Sequence, residues 1–264
     1  MIKRSSSQPT DDALWSEFLG FIPEAPNAAS PLELFVGFEE QMRSEGRTEE
    51  EAGADRARVL RLTNERQDWI GPMFDRIYAS DAPNFNQAPN QFLSEIVASE
   101  RPGRVLDIAM GQGRNSVFLA TIGWHVTGID VSPQGIAVAE AGANRAGVTI
   151  DARQVGIDEF ELGSAQWDLI VLTYALVPVA DVVFANRIVD SLAPGGLLVI
   201  ESFGSNRDAT NRRPVDLDPD ELRAAYRALE TIRFEDEEAL PDWTDRSARV
   251  VRMAARKPFS SDGT

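Results

Sequence analysis

Two segments constrain this chain more than any others: Val105-Leu-Asp-Ile-Ala-Met-Gly-Gln-Gly-Arg-Asn-Ser116 and His125-Val-Thr-Gly-Ile-Asp130. The first reads as a buried strand running into a glycine turn and then a helix. The second reads as another strand closed by an acid. Gly111 and Gly113 lack a Cβ, so the backbone can bend sharply there and approach a ligand closely. A helix beginning near Asn115 aims its unpaired amides into the same space. At the end of the second strand, the Asp130 carboxylate is placed to accept hydrogen bonds from both hydroxyls of a ribose. The pair of segments predicts half of an open α/β sheet with a nucleoside-containing ligand over its edge.

Details of the turn bear on which nucleoside. In a dinucleotide fingerprint, G-x-G-x-x-G, the third glycine permits close helix–strand packing; here that position is Ser116. Asp107 sits inside the first strand just before the turn. A carboxylate there repels a pyrophosphate but suits a cation. S-adenosylmethionine, a sulfonium with an α-amino group, fits that charge.

On these residues the segment resembles motif I of the class I S-adenosylmethionine-dependent methyltransferases, Asp/Glu-x-Gly-x-Gly-x-Gly. The chain supplies Asp107, Ala109 where glycine is commonest, Gly111 and Gly113. The run Gly113-Arg-Asn-Ser116 is similar to a bacterial small-molecule subgroup that includes tellurite-resistance-type methyltransferases. The resemblance takes in Asn84–Leu93, Trp167–Tyr174 and Leu192–Phe203, and extends over roughly residues 68–257. It implies a Rossmann-like, doubly wound, mostly parallel seven-stranded sheet with an antiparallel last strand. It also implies S-adenosylmethionine as cofactor, S-adenosylhomocysteine as product, and no metal. The cofactor set expected is Asp107, Ala109, Gly111, Gly113, Asp130, Val131 against adenine, the amide of Ile157, and Thr173. The family often places an Asp four residues before an aromatic to receive the adenine amino group. Aligned on Phe160 that position is Gly156, so the contact is either missing or supplied by Asp158.

The remaining pattern supports an α/β fold independently. Apolar runs at 104–109, 125–129, 167–174 and 196–201 are too continuous for one-sided strands and suit a parallel sheet covered on both faces. Ser132-Pro133 predicts a helix through about Ala146, and Asp218-Pro219-Asp-Glu221 another over Leu222–Leu229. Pro194-Gly195-Gly196 is expected to break the chain before a strand. Thr231–Glu235 and Arg249–Ala254 read as a final antiparallel pair.

At 264 residues the chain suits one large domain, or one domain with an extension. Residues 1–66 differ in character from 67–264. Met1–Thr10 is polar and expected to be disordered. Ser30-Pro31-Leu-Glu33 and Thr48-Glu-Glu-Glu51 each start a helix, the second running towards Arg66. These helices are read as packing on the core domain, as a lid, or as a homodimer surface. With no cysteine and one histidine, disulfides, thiolate metal sites and a His-based triad are not expected. His125 precedes its strand, opposite the crevice end, and is read as a surface residue. The stretch Trp15–Ile22 is interrupted by Ser16, Glu17 and Gly20, so no secretory leader is read, and a soluble cytoplasmic protein is the default. The net charge of −16 argues against nucleic acid as partner, and no stretch is long and apolar enough for a membrane.

Methyl transfer from a sulfonium is an in-line displacement by an activated donor. The protein must chiefly orient the reactants, and a base is needed only for a protonated, weakly acidic nucleophile. Tyr174, after Thr173 at the end of the fourth strand, is read either as a donor or base, or as a core or wall residue. Phe85, Asn86, Asn90 and Phe92 either line the cofactor mouth or cap and pack a helix. Glu201 and Phe203 are weaker candidates on the acceptor side. Two further readings stay open: a non-catalytic cofactor-binding or partner module, and a nicotinamide-dependent oxidoreductase, which Asp107 and Ser116 disfavour.

Overall fold

In the computed structural model the described residues are 8–26, 30–80, 86–205, 216–241 and 247–259. They divide into two compact units, Met1–Pro83 and Asn84–Thr264.

The first unit is helical: α1 (Asp11–Phe21) with a 3-10 turn (Ile22–Glu24), α2 (Pro31–Ser44), α3 (Glu49–Leu62) and α4 (Ile70–Tyr78). Its helices start where the capping residues stand. Ser30 Oγ accepts from the Glu33 amide at 3.3 Å, with Pro31 in the first turn. Thr48 and Glu51 form a reciprocal capping box. Leu34, Phe35, Phe38 and Met42 bury one stripe of α2, and Phe18 stacks on Phe35 at 5.4 Å. Two expectations need correction. Helix α3 stops at Leu62 instead of running on towards Arg66, because the Thr63 hydroxyl turns back to the Leu60 carbonyl at 2.7 Å. Pro9 and Thr10 are not part of a disordered tail: Thr10 caps α1, and the Pro9 carbonyl accepts from Arg58 at 2.8 Å. Met1–Ser7 lie outside the described residues.

The second unit runs α5 (Gln91–Val97), β1 (Arg104–Ile108), α6 (Arg114–Thr121), β2 (His125–Asp130), α7 (Pro133–Ala146), β3 (Asp151–Gln154), β4 (Trp167–Thr173), α8 (Val182–Ser191), β5 (Leu192–Phe203), α9 (Pro219–Ala225), β6 (Glu230–Ala239) and β7 (Ala248–Arg256). The strands form one seven-stranded sheet in the order β3-β2-β1-β4-β5-β7-β6. β7 is antiparallel to both its neighbours, and the other pairings are parallel, as expected for this fold class.

The continuous apolar runs are explained by cover on both faces. Leu106, Ile108, Ile170, Leu172, Leu198 and Ile200 pack with Phe184 and Ile188 of α8 and Leu222 of α9. Val105, Leu169, Val171, Leu197 and Val199 pack on the other side with Phe92 and Leu93 of α5 and Leu119 of α6. Pro194-Gly195-Gly196 does not end an element before β5. It forms an irregularity within it, where pairing jumps from Trp167–Leu192 to Leu169–Leu197 and Gly195 takes φ +78°. Helix α9 ends at Ala225, short of Leu229, because the chain must turn into β6 at Glu230.

Candidate functional site

The sheet changes direction of growth between β1 and β4: β2 and β3 extend it to one side, β4 and β5 to the other. Ligands of open α/β sheets bind beyond the strand carboxyl ends at such a point. The turn after β1 lies there. Ala109, Gly111 and Gly113 all take left-handed backbone, with φ of +57°, +55° and +77°. Gly113 has a second constraint, since a Cβ on it would fall 2.5 Å from the Ala139 Cβ of α7. Asp130 ties the turn down: its Oδ2 accepts from the Gly111 amide at 2.8 Å and its Oδ1 from the Ser132 amide at 2.9 Å. Val131 is 42% exposed beside it, and a Cβ on Gly156 would meet Val131 Cγ1 at 3.7 Å. The start of the Gly156–Ile157 loop therefore converges with Val131 at the end of β2. Asp158 is turned to solvent with Arg187 at 3.5 Å, and Arg187 also donates to the Ile157 carbonyl at 3.1 Å.

Asp107 is buried, and its Oδ2 accepts from the Ser116 hydroxyl at 2.7 Å. Loss of solvent pushes its carboxyl up to about 7, against the Ser116 hydrogen bond and the Arg114 charge, which pull it down. Asp130 nearby adds to the upward push. Two acids, Asp107 and Asp130, at this turn form a site suited to a cationic nucleoside.

The segment before β1 is bonded to this turn. Gln112 receives a hydrogen bond from Gln87 at 3.1 Å and donates to the Asn86 carbonyl at 3.1 Å. Asn90 is buried; its Oδ1 caps α5 through the Leu93 amide, and its own amide donates to Asn115 Oδ1 at 2.8 Å. Asn115 in turn donates to Thr173 Oγ1 at 2.9 Å, at the end of β4. Asn86 is exposed, with Oδ1 accepting from the Ala88 amide. Phe85 lies outside the described residues, and Phe92 packs into the sheet core.

Tyr174 has left-handed backbone, φ +54°, and a buried ring 5.1 Å from that of Phe203. Its hydroxyl donates to Glu201 Oε1 at 2.7 Å. Glu201 Oε2 accepts from Arg252 Nε at 2.8 Å, and Arg252 reaches on to Glu235 at 2.9 Å. The Tyr174 hydroxyl is thus turned, as a donor, onto a carboxylate that Arg252 also pairs. His125 is exposed.

A sequence model described as a methyltransferase domain matches residues 105–196, which run from β1 through this turn and crevice to the start of β5. Over that segment the chain is similar to a methyltransferase domain. A ubiquinone biosynthesis O-methyltransferase of Azorhizobium caulinodans is 33% identical over 101 residues, 38% of this chain and 40% of that protein. A Rhizobium leguminosarum protein of the same description is 33% identical over 162 residues, 61% of this chain and 58% of that one. The chain thus spans less than two thirds of either relative. Among solved structures, the N-methyltransferase NodS of Bradyrhizobium japonicum, in complex with S-adenosyl-L-homocysteine, superposes with a TM-score of 0.57. It is 24% identical and covers 71% of this chain and 98% of its own.

Around this turn, several site residues were not legible in sequence. Ser116 stood out only as a missing glycine, yet it is the partner of Asp107. Asn115 and Gln112 lie inside the motif as ordinary polar side chains; Asn90 and Gln87, some 25 residues upstream, are among their partners. Gly128 looked like an ordinary strand glycine. A Cβ there would collide with the Met110 sulfur. Only the folded position of the Met110 side chain over β2 reveals that need.

Proposed function

We propose that this chain transfers a methyl group from S-adenosylmethionine to a small-molecule nucleophile, leaving S-adenosylhomocysteine. The observation that carries the reading is Asp130. One carboxylate at the end of β2 pins the Gly111 turn at the switch point of the sheet, where the ribose of a nucleoside would lie. Asp107, Ala109, Gly111 and Gly113 would hold the methionine half, and Val131 and the Ile157 amide the adenine. The curated relatives support the reaction by their descriptions, and NodS supports the cofactor.

The bound cofactor supplies an activated methyl group on sulfur. What this chain contributes is orientation and exclusion of water, an effect that can amount to several kcal/mol. Tyr174 serves as a wall and donor, since its proton is held by Glu201. The acid-rich composition supports a small acceptor over nucleic acid. No helix among the described residues is long and apolar enough to cross a membrane. Residues 1–66 are proposed as an extension to the domain, and a homodimer through its helices belongs to the same reading.

Calorimetric titration with S-adenosylmethionine and S-adenosylhomocysteine tests this, with Asp130→Ala and NADH beside it. Micromolar binding of both cofactor forms is expected, weakened at least tenfold in the variant, with no NADH binding. A folded protein that binds NADH, or none of the three, overturns the proposal. Transfer of labelled methyl to an acceptor panel then separates an enzyme from a binding module.

A further inference from the structure

The chain from Asn90 through Asn115 to Thr173 fixes a proton. Asn115 has two possible amide orientations, and its neighbours allow one. The group facing its Oδ1 is the backbone amide of Asn90, at 2.8 Å, which can only donate. The NH₂ of Asn115 therefore faces Thr173 Oγ1, at 2.9 Å, and donates to it. An amide nitrogen accepts nothing, so the Thr173 hydroxyl must direct its own proton elsewhere. Among the described residues, Thr173 Oγ1 donates to none. Thr173 is partly exposed at the last position of β4, beside β1 at the switch point, whereas Asn90 and Asn115 are buried.

We infer that Asn115 is a positioning residue that holds the Thr173 hydroxyl as a hydrogen-bond donor to the carboxylate of the cofactor's amino-acid portion. This rests on the cofactor reading above. The cofactor reading puts the ribose at Asp130 on β2 and the amino-acid half at the turn after β1, and β4 is the neighbour of β1 on the side away from β2. That half offers an ammonium, which is itself a donor, and a carboxylate, which is an acceptor. The Thr173 proton needs an acceptor, and of these two groups only the carboxylate is one.

The test compares S-adenosylhomocysteine with 5′-methylthioadenosine, which keeps the adenosine and thioether but lacks the amino-acid portion. Binding of each is measured by calorimetry to the full chain and its variants. Thr173→Val is expected to weaken S-adenosylhomocysteine about tenfold or more, as for loss of a bond to a charged group, and to change methylthioadenosine less than twofold. Thr173→Ser, which keeps the hydroxyl, restores the difference. Asn115→Asp keeps the acceptor for the Asn90 amide but turns the Thr173 proton towards the introduced carboxylate. It should give the same selective loss and add nothing to Thr173→Val in the double variant. Equal losses for both ligands, or no loss in Thr173→Val, overturn the inference while leaving the cofactor reading intact. Additive losses in the double variant overturn the role of Asn115. Wild-type protein that binds neither ligand overturns the cofactor reading and this inference together. Should Asn115→Asp fail to fold, the Thr173 pair still decides the direction of the hydroxyl.

Discussion

Ala109 holds a left-handed backbone, φ +57°, at a position where the motif that its turn resembles most often has glycine. For an L-residue that conformation costs roughly 1–2 kcal/mol. Ala109→Gly is therefore expected to raise stability by about 1 kcal/mol, reduced somewhat by the extra freedom of glycine in the unfolded chain; urea midpoints check it. Asp107 carries a different strain. Its folded carboxyl titrates near 7, well above an exposed aspartate, because it is buried. Between about pH 4 and pH 7 the folded state thus binds a proton that the unfolded state has lost. Stability falls as pH rises through that window, by up to about 1.4 kcal/mol per pH unit, and is level above it. Asp107→Asn lacks this slope. Relative to wild type the variant should gain stability between pH 5 and pH 7 and then hold constant to pH 8, read from urea midpoints at each pH. A difference independent of pH would show that Asp107 is solvated.

At the scale of elements, the sheet joins β4, β5, β7 and β6 with a line of charges. Tyr174, Glu201, Arg252 and Glu235 connect successive strands through bonds of 2.7, 2.8 and 2.9 Å. Glu201 is buried and Arg252 largely so, so removing one partner leaves an uncompensated charge. Arg252→Met is expected to destabilise the protein by about 3 kcal/mol, and adding Glu201→Gln should recover part of the loss. Equilibrium denaturation of the two variants measures both. An unchanged midpoint in Arg252→Met would mean that solvent screens the pair. The same elements show how far local sequence reaches. Helices α2, α3 and α7 start at Ser30, Thr48 and Ser132, because a cap is made by residues within three positions of each other. Their ends were less legible. α3 and α9 stop where a side chain or the next strand intervenes.

For the whole molecule, the charge of −16 sets a collective term. Self-repulsion of that size opposes compactness and is screened as the Debye length shrinks from about 30 Å at 0.01 M salt to about 8 Å at 0.15 M. The melting temperature should accordingly rise by a few degrees over that range, as scanning calorimetry would show. A fall would mean that the surface pairs, such as Arg58 with Asp11 and Arg249 with Asp236, outweigh the net repulsion.

The sequence by itself determined the α/β class, the turn after β1 and the acid after β2. Each is written in neighbouring residues: an apolar run, two glycines and a terminal carboxylate. It also determined the final antiparallel pair, since β6 and β7 lie close in the chain. Only the tertiary structure decided the partners of those residues. Ser116 beneath Asp107, Asn115 between Asn90 and Thr173, and Arg252 beside Glu201 are contacts between side chains on different elements. The geometry of such contacts is set by strand order and helix packing. A polar side chain carries the same letter whether it meets water or a buried partner, so no local pattern distinguishes the two.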